Sequence, residues 1–477
     1  MQILFIISEV EDIIKTGGLA DVGKSLPLAL AELGHDVRIV MPYYRQVADT
    51  FALSDAISQQ VLHVNHHSYH YQVKQLSLDN VPVYLIDHEY FSQALTPYTD
   101  TSVANNAQKF SLFSLCAVCA SHELGFKPDI VHVNDWHTAM VPYFLKSDYF
   151  QRNDLLSDPH WFAHSRVIIS LHNAAFQGIE GLDQVGILDH IDASKVYNHN
   201  GFLNMLKTGI LYADKTCPVS PTYARELFTE LGSHGINDVI GKVGDKVVGV
   251  LNGCDYSQWD PSSDPLIPAN FSVDDMKGKA RCKTALQRKN KLPRSSKTPV
   301  FGMVCRATRQ KGFDYLLPIL EEMLSHNVQL VIMGTGESRI TNELARIATA
   351  YPEKMSFVED FLPEMAHLIE AGSDFFLMPS EFEPCGLNQM YSLAYGTLPI
   401  VRKVGGLADT VVDISEENGN GFAFDEPTPT ALISCIRRAI ILFLEDKVAF
   451  NNIKQEAMKI RFTWLKAAEE YVKVYTR

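Results

Sequence analysis

Two stretches in which strand-like and helix-like segments alternate constrain this chain more than any other feature. The first opens with "ILFII", a short apolar run. It continues through "GGLADVGKSLPLALAELG", whose apolar residues recur at helical spacing, to a second apolar run, "HDVRIVMP". Strand, amphipathic helix, strand is a βαβ unit, and strands that run the same way need such a crossover. The alternation goes on through strands at "QVKQLSL", "VPVYLID", "PDIVHVND", "RVIISLHN" and "KTCPVS", with helices at "AQKFSLFSLCAVCASHELG", "FLNMLKTGILYA" and "PTYARELFT". Around Val247 to Pro265 the sequence turns rich in Gly, Asn, Asp, Ser and Pro, the composition of a linker. A basic helix follows, "DMKGKARCKTALQRKNKLP", whose cations read as a solvated face. Then the alternation restarts at "VFGMVCR" and runs to "LPIVRKV". At 477 residues the chain exceeds what one core usually serves. The expectation is α/β: two Rossmann-like, doubly wound domains facing a central cleft, over 1–247 and 248–460.

Composition narrows the function. The net charge of −14 argues against a general nucleic-acid binder, which needs a basic face, but leaves room for a small anion in a locally positive pocket. "MQILFIISEV" has neither a basic leader nor a small-residue cleavage site, so it reads as a buried strand. No stretch has the length of a membrane span, and the eight cysteines are scattered like reduced thiols. A cytoplasmic protein with no membrane partner is expected. Cys116 and Cys119 match C-x-x-C, yet they sit in a helical apolar pattern with no second pair and read as packing residues. The histidines of "HVNHHSYHY" (His63, His66, His67, His70) lie in an alternating, strand-like region without an acidic partner, so no metal site is expected.

In an open parallel sheet, ligands bind beyond the carboxyl ends of the strands, so the loops there carry the chemistry. After the first strand comes "KTGGLAD", where Gly17 and Gly18 let backbone N–H groups approach an anion at a helix start and Lys15 adds a charge. The same five letters, "GGLAD", return at Gly405 and Gly406 after a late strand, where they open a helix of the second half. Asp135 follows another strand and suits either a sugar hydroxyl or a positive charge. His172 follows the next, as a hydrogen-bonding turn residue or a ligand to the same cleft. In the second half Arg306 and Lys311 flank a strand-to-helix junction. One guanidinium and one ammonium there suit a diphosphate. Gly334 and Gly336 form a second tight strand-end loop, and Glu383 precedes Pro384 and "CGL" at a helix mouth, to bind hydroxyls or to cap the helix. The dinucleotide pattern G-x-G-x-x-G, a Walker loop, HExxH and G-x-S-x-G are all missing.

Taken together, "KTGGLADV", "NDWHTAM", "HNAAFQG", "LNGCD", "RATRQKG", "GTGE", "FEPCGLNQMYSLAYGTLPIVRKVGGLADTV" and "FTWLKAAEEY" resemble the bacterial glycogen synthase and plant starch synthase family, in family order over nearly the whole chain. The resemblance implies a GT-B type glycosyltransferase with its active site between the domains. It implies transfer of glucose from ADP-glucose to the non-reducing-end 4-OH of an α-1,4-glucan, with retention and without metal or cofactor. On the same ground Lys15 and Gly18 lie at the donor diphosphate, and Asp135, His172 and Asn252 at the transferred glucose. Arg306 and Lys311 neutralise the leaving phosphates. Glu383, Cys385, Gly386 and Leu387 line the donor sugar and its distal phosphate. Gly17, Gly334, Gly336, Gly405 and Gly406 complete the substrate-binding set. The first domain is the acceptor side, the second the donor side, and the last helix, 461–477, crosses back to the first. A UDP-glucose enzyme and a catalytically silent glucan binder are the alternatives. Three departures stand out: Tyr391 where many related transferases carry a second Glu, Lys109 where an Arg is usual, and "TPYTD" where "NPY" is common.

Overall fold

The computed structural model describes every residue except 52, 54, 99, 100 and 190. Thr99 and Asp100 of "TPYTD" therefore lie outside the described residues. The chain forms two compact units, Met1–Asn252 with Trp464–Arg477, and Gly253–Thr463. The first division falls beyond the 247/248 expected from the linker composition. The reason is that Val248 and Val250 still donate to Thr216 and Pro218, which keeps this segment beside the first unit's last strand. The second falls at Thr463 rather than 460, because Cys254 N–H donates to the Phe462 carbonyl at 2.7 Å and ties that segment into the second unit.

The first unit carries strands β1 (Gln2–Ile6), β2 (Asp36–Pro42), β3 (Ser58–Val64), β4 (His67–Leu78), β5 (Val81–Asp87), β6 (Ile130–Asn134) and β7 (Arg166–Leu171). Three short strands follow, β8 (Ile179–Gly181), β9 (Asn198–His199) and β10 (Phe202–Asn204), and then β11 (Lys215–Pro218). Its main sheet has the order β11-β7-β6-β1-β2-β5-β4-β3. It is parallel from β11 to β5, with the β3–β4 hairpin antiparallel at the edge. β6 is buried at every position, as expected of a strand covered on both faces. The hairpin is where the four histidines fall: they are exposed around a two-residue turn whose Asn65 has φ 54°. Among the described residues no three His, Cys, Asp or Glu side chains gather as a metal-binding group. Cys116 and Cys119 are buried in helix Asn106–Glu123, and burial raises both thiols. Lys109, in the same helix, is buried and donates to the Pro97 carbonyl at 3.0 Å, so it braces the 95–98 loop. The helix expected over "FLNMLKTGILYA" begins only at Met205. Asn204 caps it by accepting from Lys207 N–H, and the residues before it pair as β10. No helix among the described residues is long and apolar enough to cross a membrane.

The second unit contains β12 (Val300–Val304), β13 (Gln329–Met333), β14 (Met355–Val358), β15 (Phe375–Met378), β16 (Leu398–Arg402) and β17 (Phe422–Phe424). They form one parallel sheet in the order β14-β13-β12-β15-β16-β17, the doubly wound arrangement that switches direction between β12 and β15. The helix expected over "GFDYLLPILEEMLSH" is broken into Phe313–Leu316, a 3-10 turn and Leu320–Ser325, because Pro318 lacks the N–H that a continuous helix needs.

The final helix, Trp464–Thr476, packs beside Gly18–Glu32 in the first unit and buries Trp464, Tyr471 and Tyr475. The Tyr475 hydroxyl lies 2.6 Å from His132 Nδ1, while His132 Nε2 meets Ser170 Oγ at 2.7 Å. Burial pushes this imidazole down to about 3, so it is neutral, and both ring nitrogens are satisfied without charge. Tyr475→Phe strands one buried nitrogen and should cost about 1–3 kcal/mol. Scanning calorimetry checks this; an unchanged melting temperature contradicts it.

Candidate active site

In both sheets the expected residues fall at the carboxyl ends of strands on either side of the switch point. In the first unit that point lies between β1 and β6. The loop after β1 holds a feature that the sequence reading missed. Glu9 is buried, and its Oε2 accepts from Thr16 N–H at 2.6 Å and Gly17 N–H at 3.2 Å. Its Oε1 accepts from the Tyr98 hydroxyl at 2.5 Å. Two N–H groups of the Gly-rich loop are thus taken up by the Glu9 carboxyl group, within the protein itself. Lys15 is held 2.8 Å from Glu11 and 2.8 Å from Asp21. Burial opposes its charge, but Asp21 and Glu11 outweigh that and raise its pKa. Gly17 and Gly18 are exposed, with nothing near the place a Cβ would occupy.

Asp135 follows β6 with φ 56°, an uncommon conformation for a residue with a side chain. Its Oδ1 accepts from His172 N–H at 2.7 Å and Asn173 N–H at 3.4 Å, which joins the ends of β6 and β7. His172 Nε2 meets Asn134 Oδ1 at 3.0 Å, and Asn134 Nδ2 donates to the Ile6 carbonyl. The network therefore places the imidazole proton on Nε2. Burial pushes His172 down to about 3, so it is a neutral hydrogen-bonding group. His137, also pushed to about 3 by burial, stacks between Trp136 and Tyr98 and leaves Nδ1 without a partner among the described residues. Asn252, the last residue of this unit's first segment, is buried with its Oδ1 likewise unpartnered among the described residues.

Burial outweighs the two N–H donors at Asp135 and lifts its carboxyl to about 7. A carboxyl raised in the folded state contributes stability that is fully present below its unfolded pKa near 3.8 and is lost as pH rises through 7. Asp135→Asn keeps an oxygen acceptor and removes the titration. The stability of the variant relative to the parent should therefore improve from pH 5 to pH 8. Melting curves at both pH values test this, and a constant difference contradicts it.

In the second unit Lys311 follows β12 and Glu383 follows β15, and their side chains meet: Lys311 Nζ is 2.6 Å from Glu383 Oε2, which also accepts from Ser380 Oγ at 3.1 Å. Both ends of the pair are largely covered. Gly312 sets the turn after Lys311, with φ 79° and a Cβ position only 1.9 Å from the Pro379 carbonyl oxygen. Arg306 is exposed, and among the described residues its guanidinium pairs with no protein group. Its neighbour Cys305 is pushed up to about 12, chiefly by burial.

The glycines of this unit show why they lack side chains. A Cβ on Gly334 would lie 1.8 Å from the Cys305 carbonyl oxygen, and one on Gly336 2.3 Å from that of Ala307. They let the ends of β12 and β13 touch. Gly405 (φ 42°) and Gly406 press in the same way on the carbonyls of Glu383 and Cys385, and Gly406 N–H donates to the Glu383 and Pro384 carbonyls. They anchor the Glu383 loop. Gln389 donates to the Cys385 and Gly386 carbonyls, which leaves Cys385, Gly386 and Leu387 at the mouth of helix Asn388–Ala394. Tyr391, in the place of a second Glu, stacks on Trp259 at 4.3 Å, and Trp259 stacks on His367 at 3.7 Å. This position is therefore part of an aromatic stack.

Two doubly wound sheets, the first parallel except for its edge hairpin and the second parallel throughout, with polar and charged residues at their strand ends, are the architecture of GT-B type glycosyltransferases. Comparison with known proteins gives the family. The starch synthase catalytic domain profile matches residues 2–242, and the group 1 glycosyl transferase profile matches residues 286–459. A glycogen synthase of Aeromonas salmonicida is 44% identical over 100% of this chain and 98% of its own, and one of Vibrio cholerae is 45% identical over 99% and 98%. The solved catalytic domain of Arabidopsis thaliana starch synthase IV, bound to ADP and acarbose, superposes with a TM-score of 0.87 at 28% identity, covering 100% of this chain and 99% of that one. The chain belongs to the bacterial glycogen synthase and plant starch synthase family.

Proposed function

We propose that this protein is a glycogen synthase that transfers glucose from ADP-glucose to the non-reducing-end 4-OH of an α-1,4-glucan, with retention of configuration. The observation that carries the reading is the cation pair at the β12 end. Arg306 stands uncommitted and Lys311 is held by Glu383, beside the switch point of a sheet that suits a nucleotide. As the glycosidic bond to the diphosphate breaks, the sugar becomes oxocarbenium-like and the departing phosphates gain charge. Arg306 stabilises that charge through paired N–H donors, and Lys311 through its ammonium. Glu383 then shares its contacts between Lys311 and the hydroxyls of the donor sugar. Asp135 and neutral His172 bind the hydroxyls of the transferred glucose, and Asn252 offers its unpartnered oxygen to the same sugar. The Gly-rich loop with Lys15 faces the distal phosphate.

A donor panel tests this proposal. With glycogen present, ADP-glucose should release nucleotide much faster than UDP-glucose, and the product should carry new α-1,4 linkages. Preferential UDP release contradicts the donor assignment. Absence of nucleotide release with every donor points to a silent glucan binder.

A further inference from the structure

The segment that leads into the second unit has the composition of a linker, yet it buries a carboxylate. Asp264 is only 2% exposed. A carboxylate taken out of water is costly unless it is bonded. Its Oδ2 meets His367 Nδ1 at 2.8 Å and accepts from the Tyr395 hydroxyl at 2.5 Å, and its Oδ1 accepts from Leu266 N–H at 2.8 Å. His367 belongs to helix Pro363–Gly372, and Tyr395 closes helix Asn388–Ala394. One linker side chain therefore binds two helices at once. Trp259, earlier in the same segment, joins the same two helices through its ring. It stacks on His367 with 13° between the planes and on Tyr391 with 10°. Cys254 adds a contact at the start of the segment, with Sγ 3.3 Å from Met390 Sδ.

Helix Asn388–Ala394 is the element that carries the Glu383–Leu387 loop. Met390 N–H and Tyr391 N–H donate to the Leu387 carbonyl at 2.9 and 3.1 Å. Gln389 donates to the Cys385 and Gly386 carbonyls, and Asn388 Nδ2 donates to the Val304 carbonyl at 2.8 Å, at the end of β12. One ring contact and one hydrogen bond thus separate Trp259 from Leu387. Asp264 fixes the other end of the same helix through Tyr395.

We infer that Trp259 and Asp264 are positioning residues for the donor: they act through helix Asn388–Ala394 to keep Glu383, Cys385, Gly386 and Leu387 in place. The inference rests on the donor named under the proposed function and goes further by assigning what holds that part of the site. Groups that bind a ligand work only when their supports fix them to within a fraction of an ångström, and stacked rings with a covered, bonded carboxylate provide such support. A segment that served only to join two units would have no need of either.

Calorimetric titration of the full chain with ADP tests this, at a temperature where every variant is folded. Trp259→Leu should weaken ADP binding about tenfold, since a displacement of 1 Å in a positioned group can cost up to about 10²-fold. Trp259→Phe keeps a ring that can stack and should stay within about threefold of the parent. Asp264→Asn should weaken binding severalfold, and it decides the matter if Trp259→Leu does not fold. Ile347→Ala, which removes a buried side chain from helix Ser338–Ala350 of the same unit, controls for lost stability and should bind ADP as the parent does. Undiminished binding by Trp259→Leu or Asp264→Asn overturns the inference and leaves the donor assignment standing. An equal loss in Ile347→Ala overturns it as well, because any destabilisation would then suffice. A parent that binds no ADP overturns the donor assignment itself, and this inference with it.

Discussion

Arg306→Ala should lower turnover by about 10²- to 10³-fold and leave the melting temperature where it is. Removing one preorganised donor to a developing negative charge has that order of effect on rate. The guanidinium is exposed and makes no hydrogen bond or ion pair among the described residues, so folding should lose little with it. Lys311→Ala should match the loss in turnover but behave differently on melting. Its ammonium sits 2.6 Å from a Glu383 side chain that is only 8% exposed. Taking away one partner leaves a covered carboxylate unpaired, a loss that reaches about 3–5 kcal/mol for buried pairs and is smaller here because Lys311 keeps some contact with water. Turnover assays with thermal melts of both variants separate the two roles. Turnover near that of the parent in both variants removes the cations from the reaction.

The second large effect concerns the repeated phrase "GGLAD". Gly405→Ala places a Cβ 2.0 Å from the Glu383 carbonyl oxygen at a φ of 42°. The left-handed backbone costs about 1–2 kcal/mol for a residue with a side chain, and overpacking adds about 1–3 kcal/mol, so a loss near 3 kcal/mol is expected. Activity should fall as well, since the strained carbonyl belongs to the residue that pairs with Lys311. Gly18→Ala, in the other copy, meets nothing within 4 Å and stands at the exposed start of a helix. Its melting temperature should hold or rise slightly, because alanine favours helix. Any effect should appear in the KM for the donor. Denaturant unfolding of the two variants decides; equal losses contradict this difference.

That contrast also explains how far the sequence could be read. The fold was legible because strands covered on both faces are written as continuous apolar runs, such as Ile3–Ile6 and Val300–Val304. That Arg306, Lys311 and Glu383 stand in the loops after strands was legible from the alternation of apolar runs and helical segments around them. The glycines were harder. A missing Cβ can make room for a ligand or for another backbone, and only coordinates reveal that Gly334, Gly336, Gly405 and Gly406 each face a carbonyl. Glu9 and Tyr98 were not legible at all: they meet across 89 residues of sequence, and no local pattern announces a side chain that captures distant N–H groups. Tyr391 stood out as a departure from related transferases, and its stacking on Trp259 gives that departure a structural role.

Calorimetric titration of ADP and AMP measures most directly the grip proposed for Arg306 and Lys311 on a leaving diphosphate. The parent protein should bind ADP at least about tenfold more tightly than AMP, since the second phosphate adds charge-assisted hydrogen bonds. Arg306→Ala should lose most of that margin and keep its affinity for AMP. Equal binding of ADP and AMP by the parent, or an undiminished margin in the variant, would contradict the account.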